Sequence, residues 1–128
     1  MKFFHTALAV ENLEESQTFY ENVFEMKLKS QGERPEINVR FLILEGTDGI
    51  CLELFEHNMP DSLEENLMDF SKVGYKHISF SVDDVDAAVD LAVKHGAKVL
   101  WPPKAGVTVK RIAFVSDPNG LPIELVQL

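Results

Sequence analysis

Residues 3–10 alternate. Phe4, Thr6, Leu8 and Val10 fall on one side of an extended chain, and His5, Ala7 and Ala9 fall on the other. Seventy-two residues later the pattern returns, with Ile78, Phe80 and Val82 opposing His77, Ser79 and Ser81. Both runs predict a strand with one bulky face suited to a helix and one face of small residues around a histidine. The period then changes to that of a helix. Asn12 and Glu15 have capping-box spacing ahead of Phe19, Tyr20, Val23 and Phe24. Asp84 caps the second helix, in which Val85, Ala88, Val89 and Ala92 follow i, i+3, i+4 and i+7. Gly96 is a natural stop for that helix, whereas the first copy has Glu25 where a glycine would be easier.

Strands are predicted over about 27–31, 37–44 and 50–56, and again over 97–101, 110–116 and 121–127. Thr47-Asp-Gly49 and Asp117-Pro-Asn-Gly120 are matching turns before the last strand of each half. The chain thus reads as two βαβββ modules, 1–56 and 75–128, joined by a connector over 57–74 with Pro60 and a helical run from Leu63 to Phe70. The expected class is α+β, with the modules forming a curved, mostly antiparallel sheet around a cleft. The halves pair within one chain or are exchanged between two.

The repeat also carries chemistry. His5 and His77 begin equivalent strands, and Glu53 and Glu124 lie between apolar neighbours in equivalent last strands. The His-to-Glu separations are 48 and 47 residues. A carboxylate flanked by Leu52 and Leu54, or by Ile123 and Leu125, is costly to bury unless it has a partner. Imidazole and carboxylate suit first-row dications, so four metal-capable side chains at symmetric positions point to a metal site. His57 and His95 have no symmetric counterparts; His95 falls at a helix end, beside the last carbonyls.

Composition narrows the classes. With 12 basic and 21 acidic residues the net charge is −9, which argues against nucleic-acid binding. The single cysteine, Cys51, cannot form an internal disulfide, which suits a reducing compartment such as the cytoplasm; it reads as a buried small hydrophobe. The N-terminal apolar run is too short for a signal peptide, and no stretch is long enough to span a membrane.

These segments together resemble the vicinal oxygen chelate superfamily, and within it glyoxalase I of the short bacterial kind. The likeness is carried by His5-Thr-Ala-Leu-Ala-Val, by Phe19-Tyr20 leading to Met26-Lys-Leu28, and by Leu52-Glu53-Leu54. In the second half it is carried by His77-Ile-Ser-Phe-Ser-Val-Asp83 and by Phe114 through Leu125. It implies a single vicinal-oxygen-chelate domain over 1–128 and a homodimer. It also implies a dication, Ni or Co favoured with Zn, Mn or Fe as alternatives, held by His5, Glu53, His77 and Glu124. The implied reaction is proton transfer through a metal-stabilised enediolate, on an α-hydroxy carbonyl such as a hemithioacetal of methylglyoxal. Glu124 is implied as base and Glu53 as second ligand or partner. The same superfamily contains acyl-CoA epimerases, ring-cleaving dioxygenases and binding proteins without turnover. Two departures bear on the substrate. Ala9 stands where the short bacterial enzymes carry a carboxylate-gripping arginine, and His57 replaces an asparagine. Lys104, Lys110 and Arg111 are the remaining candidates for holding an anionic small molecule.

Overall fold

The computed structural model describes residues 1–128 and divides into two compact units, Met1–Ser62 and Leu63–Leu128. The first unit runs β1 (His5–Ala9), α1 (Leu13–Phe24), β2 (Lys27–Arg34), β3 (Val39–Glu45) and β4 (Cys51–His57). A short 3-10 turn, Pro35–Ile37, joins β2 to β3. The second unit runs β5 (Ile78–Ser81), α2 (Val85–Lys94), β6 (Val99–Ala105), β7 (Arg111–Ser116) and β8 (Pro122–Gln127). The protein is α+β, with the βαβββ order in each unit.

Hydrogen bonding gives two four-stranded sheets, one per unit, in the orders β1-β4-β3-β2 and β5-β8-β7-β6. In each, two pairings are antiparallel, and the first strand runs parallel to the last. The last strand is therefore an inner strand, hydrogen-bonded on both edges. In β4 the residues from Cys51 to Leu54 are all buried, including Glu53.

One face of each sheet takes the helix. In the first unit α1 lies against β3 and β4, burying Leu13, Phe19 and Tyr20 with Leu42, Leu44, Leu52 and Leu54. In the second, α2 lies against β6, β7 and β8, burying Val85, Val89 and Ala92 with Ala113, Val115, Ile123 and Leu125. Both helices start as the spacing predicts. Asn12 Oδ1 accepts from the Glu15 N–H at 2.8 Å, and Asp84 Oδ1 accepts from the Ala87 N–H at 3.0 Å. Glu56 reinforces the first cap by accepting from the Leu13 N–H at 2.7 Å. Glu25 does take the left-handed conformation that favours glycine, with φ 55°. Gly49 and Gly120, with φ 82° and 88°, close the equivalent turns before β4 and β8.

Several expectations change. Residues 63–70 form turns, not a helix; that run includes Asn66, whose side chain accepts from the Met68 N–H and so supports a local turn. β2 continues to Arg34, and β3 starts only at Val39, because Pro35 opens the 3-10 turn. β6 continues through Pro102 and Pro103 to Ala105. It is an edge strand with register shifts beyond Trp101, where missing N–H donors are tolerated. Phe4 is exposed and packs edge-on against His5, with ring centres 4.7 Å apart, instead of entering the helix-side core.

Candidate functional site

The face of each sheet opposite its helix carries one histidine–glutamate pair. In the first unit the parallel register sets His5 beside Cys51 and Ala7 beside Glu53. His5 and Glu53 are therefore diagonal neighbours on one face. His5 Nε2 stands 2.9 Å from Glu53 Oε2. In the second unit Ser79 is set beside Glu124 as Ala7 is beside Glu53. His77 Nε2 stands 3.7 Å from Glu124 Oε2. The structure thus brings together the four sequence-predicted residues as two pairs, one in each unit. Neither unit gathers three or more His, Cys, Asp or Glu side chains around one metal position.

The surroundings of the pairs differ. The Glu53 side chain is 5 % exposed, and its Oε1 atom is buried without a hydrogen bond. The nearest cation, Arg34 Nη2, is 4.0 Å from that oxygen, beyond hydrogen-bonding range. His5 Nδ1 is likewise buried and unpaired. A buried carboxylate oxygen with no donor is expensive. The Glu124 side chain is 21 % exposed, and its Oε1 accepts from the Ser79 hydroxyl at 2.7 Å. His77 is walled by rings, edge-on to Phe114 with centres 5.1 Å apart and to Phe70 at 6.4 Å. Trp101 completes that cluster, 4.9 Å from Phe114 and 5.9 Å from Phe70.

The donors fit a divalent cation. Imidazole and carboxylate donors suit a first-row dication, and in each pair His Nε2 faces a carboxylate oxygen, at 2.9 Å in the first unit and 3.7 Å in the second. The unpaired buried Oε1 of Glu53 is the sign of the fit, since a cation beside that carboxylate supplies what the protein leaves out; His5 Nδ1 lies across the ring from Nε2 and is not met by the same ion.

The cationic candidates divide. Arg111 is engaged by Asp86 of α2, with Nη2 2.9 Å from Oδ1, so it fastens the helix to β7. The mutual attraction holds the Asp86 carboxyl below its ordinary value and raises Arg111. Lys104 lies over the Trp101 ring at 4.8 Å. Lys110 lines a recess of about 260 Å³ with Ser81, Val82, Asp83, Gln127 and Leu128, which contains none of the four paired residues. His57 accepts the Met59 N–H on Nδ1 at 3.0 Å and so closes a turn. At His95 it is the backbone N–H that meets the last helical carbonyls, those of Leu91 and Ala92.

Two neighbours of the pairs went unread in the sequence, Ser79 and Arg34. The signal for Ser79 was the alternation that put it on the histidine face, which becomes informative once strand register is known. Arg34 had no such signal, because β2 was expected to end at residue 31.

The model of the Glyoxalase/Bleomycin resistance protein/Dioxygenase superfamily matches residues 2–125. The chain belongs to this superfamily. It is 38 % identical to the lactoylglutathione lyase of Neisseria meningitidis over 99 % of its length and 91 % of the relative's. Among solved structures it resembles the trypanothione-dependent glyoxalase I of Leishmania major, with TM-score 0.79 and 28 % identity, covering 99 % of this chain and 86 % of that one. It also superposes on a V278E mutant of glyoxalase I from Zea mays with TM-score 0.81 and 23 % identity, covering 99 % of this chain and 44 % of the maize chain. That last likeness speaks to fold alone. The lactoylglutathione lyase and glyoxalase I relatives are enzymes, so the chain is glyoxalase I-like along nearly its whole length.

Proposed function

We propose that this glyoxalase-superfamily protein is a metal-dependent lyase of the glyoxalase I type, with residues 1–128 working as one domain. Its substrate is a hemithioacetal of methylglyoxal or a closely similar α-hydroxy carbonyl. The carrying observation is the repeated pair, His5 with Glu53 and His77 with Glu124, at equivalent register in two units of a chain 38 % identical to a lactoylglutathione lyase. His5, Glu53, His77 and Glu124 are its metal ligands in this reading. The pairs come from the same chain or, in the homodimer we favour, from partner chains. A reducing, cytoplasmic setting suits the lone buried thiol of Cys51.

A divalent cation, Ni or Co by preference and otherwise Zn, Mn or Fe, would be held by His5, Glu53, His77 and Glu124 and would supply Lewis-acid stabilisation of negative charge on the substrate oxygens. The remaining work falls to the chain. Glu53, buried and held between Leu52 and Leu54, has little freedom to leave its place and acts as a fixed ligand. Glu124 is more accessible, and Ser79 grips one of its oxygens while the other faces His77. It can therefore take the carbon-bound proton of the substrate and return it to the adjacent carbon, as base and then acid. Phe114 and Phe70 pack edge-on against His77, and Trp101 packs against both rings, which gives that side of the pair an apolar wall.

The test is reconstitution of metal-stripped protein with Ni, Co, Zn, Mn or Fe, followed by assay with methylglyoxal and glutathione for thioester formation. Turnover should require metal and disappear in His77→Ala. Metal binding without turnover on this substrate would retire the lyase assignment and turn the search to other thiol adducts, CoA esters and ring-cleavage substrates.

A further inference from the structure

We infer that Arg34 is the anchor for a carboxylate on the non-reacting part of the substrate, an assignment that rests on the lyase reading above. The chain has three arginines. Arg40 is spent on Glu14 and Glu56, and Arg111 on Asp86. Arg34 donates no hydrogen bond to any group of the protein, although its side chain is only about half exposed, at 47 %. A guanidinium has five N–H donors, in a fork that matches a carboxylate. In a chain of net charge −9, a guanidinium that keeps its N–H donors unspent beside the candidate site, with Glu53 at 4.0 Å as its ionic neighbour, can take an anionic ligand.

Its position is built. Ser30, Gly32 and Arg34 of β2 share a face with Ile43, Phe41 and Val39 of β3, and through β3 with Glu53, Phe55 and His57 of β4. Arg34 therefore belongs to the face that carries His5 and Glu53. The guanidinium carbon sits 4.8 Å from the centre of the Phe41 ring, which steadies the side chain over that ring. Gly32 makes room for that ring, since a Cβ there would come within 3.1 Å of two Phe41 ring carbons. Pro35 follows directly and keeps Arg34 out of the helical region at the end of β2, at φ −124° and ψ 85°. At 4.0 Å from Glu53 Oε1 the guanidinium is near enough to feel that carboxylate but too far to be consumed by it. The small side chains of Ala7 and Ala9 lie on the same face and leave space over it. A substrate whose carbonyl reaches the His5–Glu53 pair can thus lay a carboxylate against Arg34.

The experiment compares the metal-loaded wild type with Arg34→Met and Arg34→Lys, using methylglyoxal with glutathione and with a glutathione whose carboxylates are esterified. Arg34→Met should raise KM for the free-acid substrate about 10- to 100-fold, the loss falling in KM more than in kcat. Arg34→Lys should recover part of it. For the esterified substrate wild type and Arg34→Met should have similar KM values, and all three proteins should bind equal metal. An unchanged KM with the free acid, or an equal loss with the ester, overturns the anchor while leaving the lyase intact. A KM rise that tracks lost metal also overturns it, since Arg34 then acts through Glu53. If wild type shows no turnover the lyase reading fails instead, and calorimetric titration with S-hexylglutathione decides the anchor alone. Weaker binding by Arg34→Met supports it, and equal binding overturns it.

Discussion

The two units repeat one backbone plan and dress it differently at a single register position. Beside Glu53 stands Ala7; beside Glu124 stands Ser79. The first carboxylate is sealed in, with an oxygen that no protein donor satisfies. The second is more open and takes a hydroxyl hydrogen bond at 2.7 Å. Internal symmetry therefore explains where the four side chains lie, but not what each does. Burial and the neighbouring strand residue are the differences on which the proposed roles of fixed ligand and proton-moving carboxylate rest.

The largest effect expected from breaking this contrast comes from exchanging charge for amide in each copy. Glu124→Gln should lower kcat by roughly 100- to 10,000-fold, the range for losing a general base, while substrate binding survives. Glu53→Gln should act first on metal content, by at least the roughly 10- to 100-fold that loss of a supporting partner costs. Metal analysis beside steady-state kinetics separates them, and an identical profile for the two variants would erase the division of labour.

A smaller effect should follow from exchanging the neighbours. Ser79→Ala removes the donor to Glu124 and should reduce kcat by about tenfold. Ala7→Ser offers a hydroxyl to Glu53 and should stabilise metal-free protein by about 1 kcal/mol, read from chemical denaturation. No stabilisation would mean that the unpaired oxygen was not a cost to the fold.

The smallest effect belongs to a feature of one unit alone, the Asp86–Arg111 pair on the helix side of the second sheet. Arg111 holds the Asp86 carboxyl below its ordinary value of 3.8. Its contribution to stability is fully present above that value and is lost as pH falls through the folded-state pKa. Asp86→Asn should therefore unfold slightly earlier than wild type near neutrality, with the difference vanishing in acid. A difference that grew on acidification would contradict the sign. The pair is exposed, so screening keeps the effect small.

Much of this was legible in the chain before any coordinates. Alternation placed His5 with Ala7 and Ala9, and His77 with Ser79 and Ser81, and cap spacing located both helix starts at Asn12 and Asp84. Those signals are local. What the sequence hid depends on long-range register and on tolerance. Pro102 and Pro103 argue against a strand until β6 is known to be an edge. Leu63–Phe70 has helical spacing, but the Asn66 side chain supports a turn there instead. The division of eight strands into two sheets, the Ser79 bond and the approach of Arg34 all follow from which strands lie side by side, which composition does not encode.

In each unit the histidine begins the first strand, or directly precedes it, and the glutamate lies on the last, which is inserted between the first and third. Such a pair cannot exist while a unit is half made. The two groups are 48 and 47 residues apart in the chain and meet only when the last strand pairs with the first, a contact that carries a long loop-closure entropy. The proposed dication site would form only with the completed sheet, so metal uptake would report that a unit has finished folding.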